Sequence, residues 1–472
     1  MSTSDPSLRI LFVWPDSPYL GILDVLPLGI GYLAANLPAR YGLRLCDMAL
    51  RPVSLEDLLA QIGDYHPHLI AFSTWGFNLN STAALAQRIK AANPRIPIMV
   101  GGPEPSAQGE QILADHPEFD FAIAGEGEFP FAEFLRLLEQ DRCSPDDLQR
   151  ACIPGLLFRK DGRVRASEGT TWRELSDLKP CDFAFIDLEA YFSKGYSYGF
   201  HARARRTAPV ATTRGCPYDC SFCSARKING RKLRCRSLDS VVTEIQDLQR
   251  NFGVDGFNII DDNFTFDIRF AKEVCRRIIQ LDLPDVSFNC PNGVRLERLD
   301  QELLELMKQA GWDWIFIAPE SGSEKTLRRM KKAMDLHAVV EKIKLIHAAG
   351  LHVFGFFIIG YPGETRKDIG MTFRFARRAG FDGAVFTAFH PLRGTPVYEE
   401  LERNGELRET NLNSDYYEVS YAPAGMTPFE LRCLRLYGTG RFYLSSLKRL
   451  SLILRHKSMG NILLFARKLI AS

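Results

Sequence analysis

Thr213-Arg214-Gly215-Cys216-Pro217-Tyr218-Asp219-Cys220-Ser221-Phe222-Cys223 is the stretch from which the rest of the chain is read. Three thiols lie within eight residues at spacing C-x3-C-x2-C. Gly215 and Pro217 flank the first thiol, which marks a loop rather than a helix. A loop can wrap its sulfurs around one small inorganic object. Zinc takes four ligands, usually in paired C-x2-C units or with histidines. No histidine lies between His201 and His337, so zinc would need a distant fourth ligand. Thiolates also hold iron–sulfur clusters, and a [4Fe–4S] cube takes one ligand per iron. Three cysteines would then leave one iron open to a substrate or cofactor. Three unrelated buried cysteines are the remaining reading.

The chain has 472 residues, enough for two or three domains, with 46% hydrophobic and 25% charged residues. A net charge of +2 carries no nucleic-acid signature. The first residues lack a basic region followed by an apolar run, and no stretch of 18 apolar residues occurs, so neither a signal peptide nor a membrane span is expected. The other cysteines (46, 143, 152, 181, 235, 275, 290 and 433) are scattered. They form no disulfide framework, fit a reducing cytoplasm, and suggest no second cluster.

Upstream, apolar runs alternate with helical patterns. Residues 9–14, 43–47, 69–73, 96–100 and 121–124 read as strands, with helices between them, one opened by a Ser54 cap. This predicts a doubly wound parallel sheet over residues 1–140, with Gly-rich turns at the strand ends where such sheets bind ligands. Residues 141–205 are irregular, contain a short hairpin pattern at 153–162, and read as a linker. Alternation resumes from Pro209. Six strands with helical crossovers over 206–400 predict a partial (β/α)6 barrel with polar residues at its carboxyl ends. Residues 401–472 read as a helical segment. Beyond Glu430 there are nine lysines and arginines and no acidic residue, interleaved with leucines, while the first 430 residues carry net −7. This predicts basic amphipathic helices packed on the barrel with a solvated basic face; the sharper alternative is peripheral contact with a membrane surface.

C-x3-C-x2-C with Phe222 before the third cysteine resembles the signature of radical S-adenosylmethionine (SAM) enzymes, and the strand-end order resembles their core. The resemblance implies a [4Fe–4S] cluster on Cys216, Cys220 and Cys223 whose open iron chelates SAM. One electron then cleaves SAM to a 5′-deoxyadenosyl radical. It also implies SAM contacts at Phe222, Asp262, Arg295, Glu320, Ser321, Gly360 and Pro362. Pro27-Leu28-Gly29, Ser73-Thr74-Trp75, Gly101-Gly102-Pro103-Glu104 and Gly125-Glu126-Gly127-Glu128 resemble the cobalamin-binding domain ahead of many such cores. The D-x-H-x-x-G pattern of other cobalamin proteins reads Asp47-Met48-Ala49-Leu50-Arg51-Pro52 here, so cobalamin without a protein histidine ligand is implied. Trp75 is either a cover for the cobalt's lower face or a core tryptophan. The implied activity is methylation of an unactivated carbon of a small-molecule substrate, fed by an electron donor such as flavodoxin or ferredoxin; the aromatic and apolar residues of the linker and C-terminal segment point to a hydrophobic substrate. A radical rearrangement, cyclisation or oxidation is the alternative, and a cluster-bearing sensor or scaffold is the non-enzyme one. No catalytic acid, base or nucleophile is identified.

Overall fold

The computed structural model describes residues 6–16, 25–169, 171–199, 201, 204–407 and 419–456, with side chains as far as 451. It divides into two units: Met1–Gly195 with Lys227–Asn229, and Tyr196–Arg226 with Gly230–Ser472.

The first unit holds strands β1 (Leu8–Trp14), β2 (Tyr41–Asp47), β3 (Leu69–Ser73), β4 (Ile98–Gly101), β5 (Phe121–Ile123), β6 (Leu156–Lys160) and β7 (Arg163–Ala166). Their order is β2-β1-β3-β4-β5-β6-β7. The first five run parallel. Burial explains why β1 is a continuous apolar run from Ile10 to Trp14. Ile10, Phe12 and Trp14 point into one core cluster, and Leu11 and Val13 into another on the opposite face. A parallel strand covered on both faces needs apolar residues at every position. The order reverses between β1 and β3, the switch point at which such sheets leave a crevice. Ser54 caps the helix Leu55–Tyr65 in a reciprocal capping box with Asp57.

One expectation is corrected here. The hairpin is present, but β6 pairs antiparallel with β5 and β7 with β6, so it extends the first sheet rather than linking two domains. The first unit therefore runs on to Gly195, not to residue 140.

The second unit begins with β8 (Thr207–Val210). An antiparallel ribbon follows, β9 (Thr213–Arg214) with β10 (Arg234–Cys235), and the cysteine loop lies between its arms. Then come β11 (Gly256–Ile259), β12 (Ser287–Asn289), β13 (Trp314–Glu320), β14 (His352–Ile359) and β15 (Gly383–Ala388). The parallel sheets β12-β11-β8 and β13-β14-β15 are joined by parallel bridges, Phe288 to Trp312 and Val294 to Ile317. Six parallel strands thus follow one another as the partial barrel. Polar caps start its helices: Ser237, Asp267, Asp300, Ser323, Asp335, Thr365 and Thr395 each accept from a first-turn amide.

The helix Pro428–Leu444 lies along β15 at the sheet's end. The Tyr443 hydroxyl donates to the Ala384 carbonyl (2.6 Å) and accepts from the Ala384 amide (3.0 Å). An edge strand needs such partners for its backbone. Tyr443→Phe should cost roughly 1–3 kcal/mol, because it strands both groups beneath the helix. Denaturant unfolding measures this, and a change below about 0.5 kcal/mol would mean that water replaces the hydroxyl.

The basic segment is less solvated than its pattern predicts. Arg435 is buried. Lys448 pairs with the buried Asp382 at 3.0 Å, and Arg449 donates to the carbonyls of Phe381 (3.0 Å) and Arg377 (2.9 Å). Of the five cations between 432 and 449, these three serve packing or docking. Lys457, Arg467 and Lys468 lie outside the described residues, as does the side chain of Arg455.

Candidate active site

The three cysteines sit at the carboxyl end of the barrel on a loop fixed at several points. The Cys216 amide donates to the Gly230 carbonyl (3.1 Å) and the Cys223 amide to the Cys220 carbonyl (3.2 Å). The Ser221 amide donates to the Met330 carbonyl (2.9 Å), and the Ser221 hydroxyl lies 2.8 Å from the Tyr361 hydroxyl. Val397 donates to the Ser221 carbonyl at 3.1 Å. Phe222 packs on the cluster of Met330, Tyr361, Phe389 and Val397, its ring edge-on to Tyr361. An aromatic before the last cysteine thus anchors the loop to the end of β14.

Asp261 and Asp262, just past β11, organise the loop's entry. Asp261 is buried and accepts from the Thr212 amide (2.6 Å) and from the hydroxyls of Thr212 (2.6 Å) and Thr213 (2.7 Å). Burial pushes its carboxyl up to about 6, against those hydrogen bonds. Asp262 accepts from the Gly215 amide at 3.2 Å. The structure therefore gives Asp262, a residue expected at SAM, a task in shaping the loop.

All three thiols are partly buried, and burial raises each of their pKa values, that of Cys223 to about 12. At Cys220 the charges of Lys332 and Arg295 oppose the rise. A metal would draw such thiols into the thiolate form. Among the described residues, no group of three His, Cys, Asp or Glu side chains is placed to hold a single metal ion. A four-iron cube makes a different demand, because each thiolate binds its own iron. The all-sulfur donor set fits that group.

Glu320 ends β13 behind a register shift that starts at Ile317, and has φ of 68°. That left-handed conformation is uncommon for a residue with a side chain and turns the carboxylate inward. Burial raises the Glu320 carboxyl, and a 3.0 Å ion pair with Lys332, whose side chain is 10% exposed, opposes the rise. Arg295 lies over the Tyr218 ring, 3.7 Å from its centre, and donates to the Ala333 carbonyl at 3.2 Å. Arg295, Glu320 and Lys332 are all close enough to act electrostatically on Cys220. Ser321, expected to touch SAM, is fully buried; its hydroxyl lies 3.1 Å from that of Thr372 and accepts from the Ser323 amide. It braces the strand-end turn.

Gly360 has φ of 77°, and a Cβ there would come within 2.3 Å of Leu431. The turn containing Gly360 and the buried Pro362 is held from below by Glu364, which accepts from the amides of Gly360 (2.7 Å) and Tyr361 (3.2 Å). Sequence reasoning missed Lys332 and Glu364 as site-forming residues, and named Tyr361 only for the backbone of its turn, not for its hydroxyl beside Ser221. Lys332 is one of a Lys-Lys pair, and nothing in the sequence shows that it turns inward while Lys331 stays in solvent. Lys332→Ala should cost about 3–5 kcal/mol by leaving Glu320 buried and unpaired. The Glu320→Ala/Lys332→Ala pair should lose less than Lys332→Ala alone. Equal losses in denaturant unfolding would mean that the two do not act as a pair.

In the first unit the expected turns also meet. The Thr74 hydroxyl and amide both donate to the Gly101 carbonyl, at 3.0 and 2.8 Å. Gly102 has φ of 98°, and a Cβ would lie 2.7 Å from the Thr74 carbonyl oxygen. The Gly125 amide donates to the Ser106 hydroxyl at 2.7 Å. The ends of β3, β4 and β5 are thus stitched into one ridge at the crevice. Pro27 precedes the helix Leu28–Asn36, and a Cβ on Gly29 would meet nothing within 4 Å. Ser73 ends β3, Pro103 and Glu104 open the helix Pro103–Gln108, and Glu126 and Gly127 lead into the one starting at Glu128. Glycines and short side chains leave backbone groups at these strand ends, which fits the polar edge of a cofactor such as cobalamin. Trp75 stacks on Phe77 at 5.9 Å and packs against the core cluster that contains Ala49.

A family model described as the radical SAM superfamily matches residues 210–376, and one described as a B12 binding domain matches residues 23–135. Cytidylyl-2-hydroxyethylphosphonate methyltransferase of Streptomyces wedmorensis is 29% identical over 432 residues, covering 80% of this chain and 78% of that protein. The anaerobic magnesium-protoporphyrin IX monomethyl ester cyclase of Cereibacter sphaeroides is 26% identical, covering 89% and 67%. In fold, the chain resembles the radical SAM methyltransferase TsrM of Kitasatospora setae, solved with cobalamin and a [4Fe–4S] cluster, with a TM-score of 0.69, 18% identity, and coverage of 89% and 84%. With both family domains present in the order its cysteine loop and Gly-rich turns imply, the chain belongs to the radical SAM enzymes that carry a cobalamin-binding domain.

Proposed function

We propose that this enzyme transfers a methyl group to an unactivated carbon of a small-molecule substrate. The observation that carries the reading is the presence, in one chain, of a three-thiol loop at a barrel's carboxyl edge and a cobalamin-type sheet whose position 49 is not a ligand. When bound, the cluster with SAM supplies a hydrogen-abstracting radical, and cobalamin supplies a methyl group. The chain's own residues bind, orient and shield. Cys216, Cys220 and Cys223 are the cluster ligands in this reading. The Arg295 guanidinium and the Glu320 carboxylate, steadied by Lys332, are the polar contacts for the charged end of SAM. The Gly360-Tyr361-Pro362 turn offers backbone to the adenine. Pro27, Leu28, Gly29, the Ser73-Thr74-Trp75 turn, Gly101 to Glu104 and Gly125 to Glu128 line the cobalamin crevice. A water-poor site protects the radical from side reactions.

The test is anaerobic turnover with SAM labelled in its methyl group. Release of 5′-deoxyadenosine together with label in the product supports methyl transfer. Deoxyadenosine with unlabelled product supports the alternative, cyclisation or oxidation, which the cyclase relative favours. No deoxyadenosine under strong reductant would leave a sensor or scaffold.

No helix among the described residues is long and apolar enough to cross a membrane. Leu444 and Leu447 are 79% and 86% exposed beside Arg441 and Lys448, and this favours a peripheral contact with anionic lipid. Co-sedimentation with anionic vesicles that weakens in salt is expected; equal sedimentation with neutral vesicles, or none, removes the proposal.

A further inference from the structure

Asn78 follows β3 and is the N-cap of the helix Leu79–Ala92. An N-cap asparagine ordinarily turns its side-chain oxygen forward onto a first-turn amide. Here that bond is not made; Oδ1 turns back and accepts from the Trp75 amide at 2.8 Å. The backbone closes the same turn, with the Asn78 amide donating to the Trp75 carbonyl at 3.0 Å. The Asn78 carbonyl accepts from the Thr82 amide (2.9 Å) and from the hydroxyls of Ser81 (2.9 Å) and Thr82 (2.7 Å). The residue is therefore fixed from both sides.

These bonds also settle which way the side-chain amide faces, because the Trp75 N–H needs an oxygen opposite it and not an NH2. Nδ2, with two N–H groups, lies on the other side. Asn78 is 1% exposed, and among the described residues nothing accepts from Nδ2. Buried N–H groups without an acceptor are costly and uncommon. An aspartate would hold the Trp75 amide equally well, so the turn alone does not explain the NH2.

The surroundings narrow what the NH2 meets. The turn from Trp75 to Asn78 continues the ridge of Thr74, Gly101 and Gly102 at the crevice. Glu104 is buried beside it: its amide donates to the Thr74 carbonyl at 3.3 Å, and its Oε1 accepts from Gln108 at 2.9 Å. Its Oε2 lies 3.4 Å from where a Cβ on Gly76 would sit. A carboxylate in this place repels an anion such as the phosphate of a nucleotide tail. A donor next to a carboxylate suits a neutral group that offers an acceptor and a donor together, as a primary carboxamide does. The rim of the corrin ring carries such carboxamides.

We propose that Asn78 is a specificity residue for the corrin: Nδ2 donates to the oxygen of a rim carboxamide, whose NH2 faces the Glu104 carboxylate. The proposal rests on the cobalamin reading above and adds the part of the cofactor that is recognised.

The experiment uses the full chain with hydroxocobalamin and cobinamide as probes. Cobinamide keeps the corrin and its carboxamides but lacks the nucleotide tail. Asn78→Asp keeps the acceptor for the Trp75 amide and removes the donors. Its Kd should rise about tenfold for both corrinoids, while the unfolding midpoint of the corrinoid-free chain holds. If that midpoint falls, Asn78→Ser is measured, since its hydroxyl can also accept from the Trp75 amide, and the same loss of affinity at an unchanged midpoint is expected. Lost affinity together with a lowered midpoint in both variants would make Asn78 a brace and overturn the proposal. A loss for hydroxocobalamin alone would assign Asn78 to the nucleotide tail and overturn it too, as would unchanged affinity for both probes. These failures leave the cobalamin reading standing. A wild-type chain that binds neither corrinoid removes that reading, and the proposal with it.

Discussion

Replacing Cys216, Cys220 and Cys223 together by alanine is expected to remove all cluster iron and all SAM cleavage. Three thiolates and one open iron leave no spare ligand, so the loss should be complete rather than graded. Cys235→Ala is the informative control. Cys235 lies on β10, paired with Thr213 at the base of the same loop, yet outside the motif. Its variant should keep about four irons per chain and normal deoxyadenosine release. Metal analysis separates the readings that the sequence leaves open: zinc in the wild type, with no iron after anaerobic reconstitution, would restore the structural-metal reading. A triple variant that still holds iron and cleaves SAM would falsify the assignment of these thiols. The unfolding midpoint of the metal-free triple variant should stay close to that of the metal-free wild type. The loop is tied to the barrel by Ser221, Phe222 and the amides of Cys216 and Cys223, not by the sulfurs.

The parts of the fold legible in the sequence are those where burial dictates the pattern. Ile10–Trp14 of β1 and Leu69–Phe72 of β3 are unbroken apolar runs because both faces are covered, and caps such as Ser54 and Ser237 mark helix starts by a local hydrogen bond. What stayed illegible depends on partners distant in sequence. The alternation of β6 and β7 announces a hairpin but not the sheet it joins, so 141–205 reads as a linker until Phe158 is seen opposite Phe121. The direction of a long cation is equally hidden. Arg435, Lys448 and Arg449 look like a solvated face in the helical pattern, yet Arg435 turns inward and the other two bond to the barrel. At the site, the strand ends are legible because parallel barrels put polar residues there. The division of labour is not. Asp262 and Ser321 look like ligand contacts, and only the structure shows that they also bond to Gly215 and Thr372.

Cobalamin bound to this protein in the cob(II) state is expected to carry no nitrogen on its lower axial face. The structural basis is position 49. Ala49 is buried in the cluster with Ile10, Phe12, Trp14 and Ile30, so the place that a ligating histidine would take is core. Asp47, the first residue of that pattern, is committed elsewhere: it accepts from the Leu50 amide at 2.8 Å and from the Tyr191 hydroxyl at 2.7 Å. Ala49→His should therefore not create a cobalt ligand. It should instead overpack the core, at a cost of about 1–3 kcal/mol. Electron paramagnetic resonance reads the lower ligand directly, since an axial nitrogen splits each cobalt line into three. The expected spectrum lacks that splitting, as for five-coordinate or water-bound cobalt. Labelling the protein with 15N-histidine discriminates the failures. A triplet that becomes a doublet would show a histidine on cobalt and overturn the prediction at its root. A triplet indifferent to the label would come from the cofactor's own base and overturn the water-bound form while leaving the core placement of Ala49 intact. Protein that retains no cobalamin after incubation with excess would mean that the ridge of Thr74, Gly101, Gly102 and Gly125 has kept its geometry without its ligand. A weak lower ligand matters chemically because it eases reduction of Co(II) to Co(I), the form that accepts a methyl cation from SAM. Cobalamin, when bound, would supply the methyl group, and an alanine in the core at position 49, which gives it no protein ligand, suits that role.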